Sequence, residues 1–317
     1  METKKIAAVT LAVVLIATVV GITAKTQIAE GTHKNFKKLV IGFIPTEKAE
    51  ELTPKANDLE KYLEEKFRGR VDVEVLVPTS YESLMEGLRF GHVHAAFMDT
   101  GPGWIAYNKA GAEVVFSEVV NGKVYYQATV FARADDDSIN TIDDAVGKRV
   151  AFTSITGSSG FVRPVGTLVE MGLIEIEGND VVALEAALGH AFKSYTFTGG
   201  YKSALELLVN GNVDVAFGAD DAPQRFLTSE QQGKVKIVEK IGPVPSHVFV
   251  VGKDVPRIIK NVLVDAMIEL NYEENNQILK KLYGAEALLP TTTTMHIGDF
   301  GNKIDVLTGL EDRMMGK

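Results

Sequence analysis

The stretch Thr156-Gly157-Ser158-Ser159-Gly160 sets hydroxyls and glycines between an apolar run, Arg149 to Thr153, and a helical pattern with Pro164 in its first turn or so. A strand, a small-residue turn and a helix in that order aim free N–H groups outward at the positive end of a helix dipole, where a small oxyanion can bind. Charge-assisted hydrogen bonds contribute ~1.5 to 3 kcal/mol each, so three or four would hold an anion against an unfavourable overall charge. Taken by itself, the stretch is more simply an N-cap and a flexible turn. No Lys-Ser/Thr pair follows the glycines, so it is not a nucleotide phosphate loop. Asp220-Asp221 follows the run Val213 to Phe217, where open α/β sheets place ligand groups; its simpler role is a solvated turn or the next N-cap. Adjacent acids rarely both point inward and no third ligand is spaced nearby, so no metal site is expected. Tyr81, Trp104, Tyr126 and Tyr201 fall near predicted element ends, where rim packing is the ordinary role of an aromatic, and His247 sits in a loop after Pro243, Pro245 and Ser246. No Gly-x-Ser-x-Gly elbow or ordered Ser, His and acid set occurs, so neither catalysis nor a cofactor is expected.

The elements that must position these groups follow from periodicity. Val40 to Ile44 reads as a strand, Pro54 to Arg68 as a helix carrying Leu59, Leu63 and Phe67, and Val71 to Val77 alternates as a half-buried strand. Thr79 with Glu82 forms a capping box that opens a helix through Phe90, and Val93 to Met98 is the next buried strand. After the Ser/Gly turn a helix runs to about Met171, and Val181 to Leu184, a helix from Ser203 to Val209, the run Val213 to Phe217 and a strand at Val248 to Val251 continue the pattern. The chain then reads as helical from Val255 to about Tyr283, and the last segment, with Thr291 to Thr294, stays open. Strands alternating with helices predict two α/β units, each with a mainly parallel sheet covered on both faces.

The chain of 317 residues is 45% hydrophobic and 24% charged, with a net charge of −9 and no cysteine. That excludes disorder, disulfides, thiolate metal sites and a lipidated N-terminal cysteine. The negative balance argues against a broad nucleic-acid surface. Lys4 and Lys5 precede an uncharged run from Ile6 to Ala24 that Lys25 ends. As a helix it would be ~28 Å long, close to a bilayer's hydrocarbon thickness. Its length favours a retained anchor over a cleaved signal, with the paired lysines inside and everything from about residue 25 outside the cytoplasm. Residues 25–37 read as a polar tether.

Four segments, residues 77–98, 125–152, 156–172 and 199–223, occur in the order of one group of binding proteins, and the chain resembles the phosphonate/phosphite-binding proteins of ABC importers. The resemblance implies a type II periplasmic-binding-protein-like fold of two α/β lobes, 38–128 plus 246–317 and 129–245, joined by two hinge strands and closing on a ligand. It implies that Ser158, Ser159 and Gly160, in the turn with Gly157, take the phosphonate oxygens, and that Tyr81 and Tyr126 reach the ligand across the cleft. Tyr201 stands where some members carry a histidine, Asp221 or Asp220 at an acidic position, and His247 where aminoalkyl-phosphonate binders place a second acid. Thr46, Thr100 and Trp104 are further candidates. The expected ligand is a small phosphorus oxyanion, methylphosphonate or phosphite ahead of an aminoalkyl form, with an ABC permease and its separate ATPase as partners. A binder of sulfonate, nitrate or thiamine precursors, an exported enzyme acting on a phosphate ester, and a sensor ectodomain are the competing readings.

Overall fold

A computed structural model describes residues 36–43, 49–78 and 80–315. The predicted anchor, residues 1–24, and Thr46 lie outside them. Among the described residues no helix is long and apolar enough to cross a membrane.

Among the described residues, eleven strands form two sheets in the body from Lys38 onward. The first sheet has the order β11-β4-β10-β3-β1-β2, built from β1 (Lys38–Gly42), β2 (Asp72–Leu76), β3 (Ala95–Met98), β4 (Glu113–Val119), β10 (Val248–Val251) and β11 (Ala287–Pro290). The second has the order β7-β6-β8-β5-β9, from β5 (Tyr125–Arg133), β6 (Arg149–Phe152), β7 (Ser194–Phe197), β8 (Val215–Ala219) and β9 (Val235–Pro245). The sheets are mixed, not mainly parallel. Pairs β1·β2, β1·β3, β6·β7 and β6·β8 are parallel, while β4, β5, β9, β10 and β11 pair antiparallel. Each parallel core is a β-α-β product, and the antiparallel strands other than β11 flank the two places where the chain passes from one sheet to the other, β4 to β5 and β9 to β10.

The helices are α1 (Ala49–Phe67), α2 (Tyr81–Arg89), α3 (Thr100–Ile105), α4 (Arg163–Glu170), α5 (Val181–Ala191), α6 (Tyr201–Val209), α7 (Ala222–Phe226), α8 (Ser229–Gln232), α9 (Arg257–Glu269), α10 (Gln277–Tyr283), α11 (Thr293–Val306) and α12 (Leu310–Met314). Three local readings change. The box that caps α2 is Ser80 with Ser83, one residue on from the Thr79 expectation, because the Ser83 hydroxyl closes the reciprocal pair. Val181 to Leu184, an apolar run in a strand's place, opens α5 from an Asp180 cap, and the strand is Ser194–Phe197. The long C-terminal helix is interrupted between Glu269 and Gln277, where Asn276 turns its amide onto the Leu270 and Glu286 carbonyls.

Aromatic stacks centre both cores. Phe97 lies 4.8 Å from Phe249 and 5.4 Å from Phe43 in the first. In the second, Phe152 stacks on Phe217 at 5.5 Å and meets Phe161 edge-on at 5.1 Å. Phe161 belongs to the Ser/Gly turn, so the turn is anchored in the core beneath it.

At the rim of the second sheet, Arg149 pairs with Asp214 through Nε at 3.0 Å and Nη2 at 2.6 Å, and the Arg149 N–H also donates to that carboxylate. The Arg149 hydrogen bond outweighs burial and holds Asp214 at about 2. A lowered carboxyl stabilises the fold above its unfolded value, and that stability is lost as pH falls toward 2. Asp214→Asn is therefore expected to cost about 1 to 2 kcal/mol at neutral pH, discounted for partial exposure. Urea unfolding checks this, and the gap to the parent protein is expected to close as the pH is lowered toward 2.

Candidate functional site

The candidate groups gather at the C-terminal ends of the parallel strands. Residues after β6 form a π-helical turn, Ser158–Val162, that runs directly into α4. The first N–H groups of such a continuous helix have no earlier carbonyl of their own and remain available to a ligand. The turn can pack this tightly because two of its residues are glycines. A Cβ on Gly157 would lie 2.3 Å, and one on Gly160 2.1 Å, from Thr153 Oγ1. Thr153 lies beneath the turn and donates its N–H to the Gly160 carbonyl.

Ser159 is fully buried, and its Oγ lies 2.8 Å from the Tyr201 hydroxyl. Tyr201 opens α6 after β7, its ring lying over Gly218, where a Cβ would stand 3.0 Å from it. Tyr126, on β5, stands close enough to Ser159 and Tyr201 for both to act on its phenol. Burial first, and then Tyr201, push that phenol far above its ordinary value, so it is a neutral donor. Ser158 is half-buried at the outer side of the turn.

The first sheet supplies a second cluster. Tyr81, the first residue of α2, donates its hydroxyl to Asp99 Oδ2, and His247 Nε2 lies 2.9 Å from Asp99 Oδ1. On the other side of the ring, His247 Nδ1 is 3.5 Å from Glu118 Oε2. Burial raises Asp99, but the hydrogen bond and charge of His247, with the Tyr81 hydroxyl, bring it below the ordinary carboxylate value. Burial opposes charge on His247 as well, and Asp99, with Glu118 behind, outweighs it and lifts the imidazole to about 9. Glu118 is pushed up to about 7, chiefly by burial. The two clusters are close enough that the Asp99 charge contributes to the shift of Tyr126.

Five candidates thus sit in two adjoining groups, Tyr81 and His247 bonded to Asp99 and Ser159 to Tyr201 with Tyr126 beside them, and Gly157, Ser158 and Gly160 frame the second. The others have different partners. Asp220 pairs with Lys240 at 3.0 Å and accepts from the Gln127 N–H, while Asp221 is 58% exposed and faces Arg225. Thr100 is buried and donates to the Pro245 carbonyl at 2.7 Å. Trp104 is buried, with Nε1 on Asp305 at 2.8 Å. Sequence reasoning missed Asp99 and Glu118. Asp99 is the residue directly after β3, the position from which it did consider Asp220, and Glu118 is an acid in the mostly apolar strand β4, one residue after Ser117.

Chemically the arrangement is a set of neutral hydroxyl donors and free amides around one ionised acceptor balanced by an imidazolium. It can bind a small anion that carries a proton of its own. Gly160→Ala is expected to destabilise the protein by about 1 to 3 kcal/mol, because Thr153 has no room to retreat. Denaturant unfolding measures it, and adding Thr153→Ala, which removes two of the three clashing atoms, is expected to recover part of the loss.

With this geometry in view, similarity to known proteins is informative. The family model described as ABC transporter, phosphonate, periplasmic substrate-binding protein matches residues 41–294. The phosphate-import protein PhnD of Mycolicibacterium smegmatis is 30% identical over 258 residues, 77% of this chain and 75% of that protein. Two solved structures share the fold. XAC2383 from Xanthomonas citri bound to chloride has a TM-score of 0.69 at 17% identity, over 85% of this chain and 98% of that one. PhnD1 from Prochlorococcus marinus in complex with methylphosphonate has a TM-score of 0.58 at 17% identity, over 86% of this chain and all (100%) of that one. The chain belongs to the periplasmic phosphonate-binding family of ABC-transporter substrate-binding proteins.

Proposed function

We propose that this protein captures a small phosphorus oxyanion, phosphate, phosphite or a short phosphonate such as methylphosphonate, outside the cytoplasm and delivers it to an ABC permease. The observation that carries this reading is the proximity of an ionised carboxylate, Asp99, to the hydroxyl cluster of Ser159, Tyr126 and Tyr201. A phosphate, phosphite or phosphonate that retains one proton can donate it to Asp99 while its other oxygens accept from the hydroxyls and from the N–H groups of the turn. Sulfate, sulfonates and nitrate have no such proton and would meet Asp99 as a repulsive charge. Asp99 thereby supplies the carboxylate that the resemblance suggested would come from Asp221 or Asp220.

In this reading residues 38–128 plus 246–317 form one lobe and 129–245 the other. The crossings β4 to β5 and β9 to β10 are hinges, and closure brings Ser159 toward Tyr81, Asp99 and His247. The apolar segment 6–24 tethers the protein to the cell membrane, or is removed on export. His247, a cation where an ammonium group would otherwise be received, favours ligands without an amine. Membership of a transport family supports binding without catalysis.

Titration calorimetry with phosphate, phosphite, methylphosphonate, 2-aminoethylphosphonate and sulfate, each alone, tests the proposal. Binding of at least one of the first three, well above the affinity for sulfate, is expected. Sulfate bound as tightly as all of them, or no phosphorus anion bound below millimolar concentration, would refute it. Replacing Ser158 and Ser159 together by Ala removes two charge-assisted donors and is expected to weaken binding of the preferred anion more than about tenfold.

A further inference from the structure

Glu118 is 2% exposed, and among the described residues its carboxylate lies within ion-pair distance of the His247 ring alone. A buried carboxylate is costly unless it is paired, and a glutamine of the same shape would avoid most of that cost. The local backbone is arranged to keep this acid beside this ring. The Glu118 N–H donates to the His247 carbonyl at 2.9 Å, and the Ser246 hydroxyl donates to the Glu118 carbonyl. His296, on α11, reaches the Ser246 carbonyl at 3.1 Å from the other side. The ring is therefore held at both ends, at Nε2 by Asp99 and at Nδ1 by Glu118.

We infer that Glu118 is a positioning residue for the ligand cleft: acting through Nδ1 of His247, it fixes the imidazole against Asp99 and sets the charge with which the cleft meets its anion. The inference rests on the anion-binding reading above and goes one step deeper into the same site. Among the described residues, the ionisable groups around the ring are Asp99 at the start of α3, Tyr81 of α2 acting through Asp99, Glu118 of β4, and His296 of α11. Burial holds His296 below its ordinary value, so at neutral pH it is an uncharged ring that donates to Ser246. The ring of His247 is 41% exposed while Glu118 is buried behind it, so the imidazolium acts on a ligand at closer range than the carboxylate that sustains it.

The test uses full-length protein with labelled histidine, as the parent, Glu118→Gln, His247→Gln and the double variant. The His247 resonance is assigned by its absence in His247→Gln, and its midpoint is followed with pH. In the parent the midpoint is expected near 9. In Glu118→Gln it is expected lower by about one pH unit, the scale of one lost charge contact. Affinity for inorganic phosphate is then compared between parent and Glu118→Gln at matched pH, so that the ionisation of phosphate cancels. The variant is expected to match the parent near pH 6, where both rings are charged, and to bind several-fold more weakly near pH 9. Adding Glu118→Gln to His247→Gln is expected to cost no further affinity.

An ordinary midpoint near 6.5 in the parent would overturn the inference without any variant. So would an unmoved midpoint in Glu118→Gln, or additive losses in the double variant. If phosphate, phosphite and methylphosphonate all fail to bind the parent, the proposed function falls, while the titration of His247 still decides what Glu118 does to the ring.

Discussion

Asp99 is the group on which the cleft turns. A carboxylate at the end of a strand, in a protein of net charge −9, is a poor neighbour for an anion. It becomes useful only if its charge is balanced and its lone pairs are directed. Tyr81 takes one oxygen and His247 the other, so the acid stays ionised with its remaining lone pairs in the cleft. The imidazolium offsets its charge locally, and in the proposed reading the attraction for a ligand passes to neutral donors: Ser159, Tyr126, Tyr201 and the N–H groups of the turn. A cleft of that kind distinguishes anions by whether they carry a proton, where a cluster of lysines would distinguish them mainly by charge.

The same residues belong to the mechanical frame of the molecule. Beside His247, Ser246 takes the Val124 carbonyl with its N–H and the Glu118 carbonyl with its hydroxyl, and Thr100 holds Pro245. These bonds lie at the two crossings between the sheets. The helix that continues the Ser/Gly turn is tied to the same region. Arg163, 4% exposed, donates to the Pro243 carbonyl and to Asp299 on α11. Gly242, opposite Arg163, has φ +112, a conformation that glycine adopts without strain. Helix α11 packs closely on both sides because of two glycines: a Cβ on Gly301 would strike Trp104 of α3, and one on Gly166 of α4 would strike Lys303. The anion turn and His247 are thus braced against shared elements.

Much of this was legible in the sequence where local physics decides. The strand, Ser/Gly turn and helix around Ser159, the helix expected from Ser203, which begins at Tyr201, and the strand Val248–Val251 follow from periodicity and small-residue placement. Ser159 was singled out by the local pattern of its turn, but Tyr81, Tyr126, Tyr201 and His247 gained a ligand role only from the resemblance, since nothing in the local pattern of Tyr81 or His247 says that they share a carboxylate. The mixed character of the sheets was not legible, because parallel or antiparallel pairing depends on where the chain crosses between sheets, a long-range property. Val181 to Leu184 could not be assigned, because four apolar residues suit a buried strand or one side of a helix equally well. Glu118 was passed over because an acid within EVVFSEVV reads as the solvated side of a strand, whereas the fold buries it against His247.

The central claim is that one anion is held jointly by the Ser/Gly turn of the second sheet and by Asp99 and its partners from the first. A crystal structure of the protein with inorganic phosphate bound near neutral pH tests it most directly. The account requires the phosphorus between the two groups, with Ser159 Oγ and a turn N–H on some oxygens and Asp99 within hydrogen-bonding distance of the remaining one. Phosphate seated away from Ser159, or held with Asp99 facing elsewhere, would contradict it.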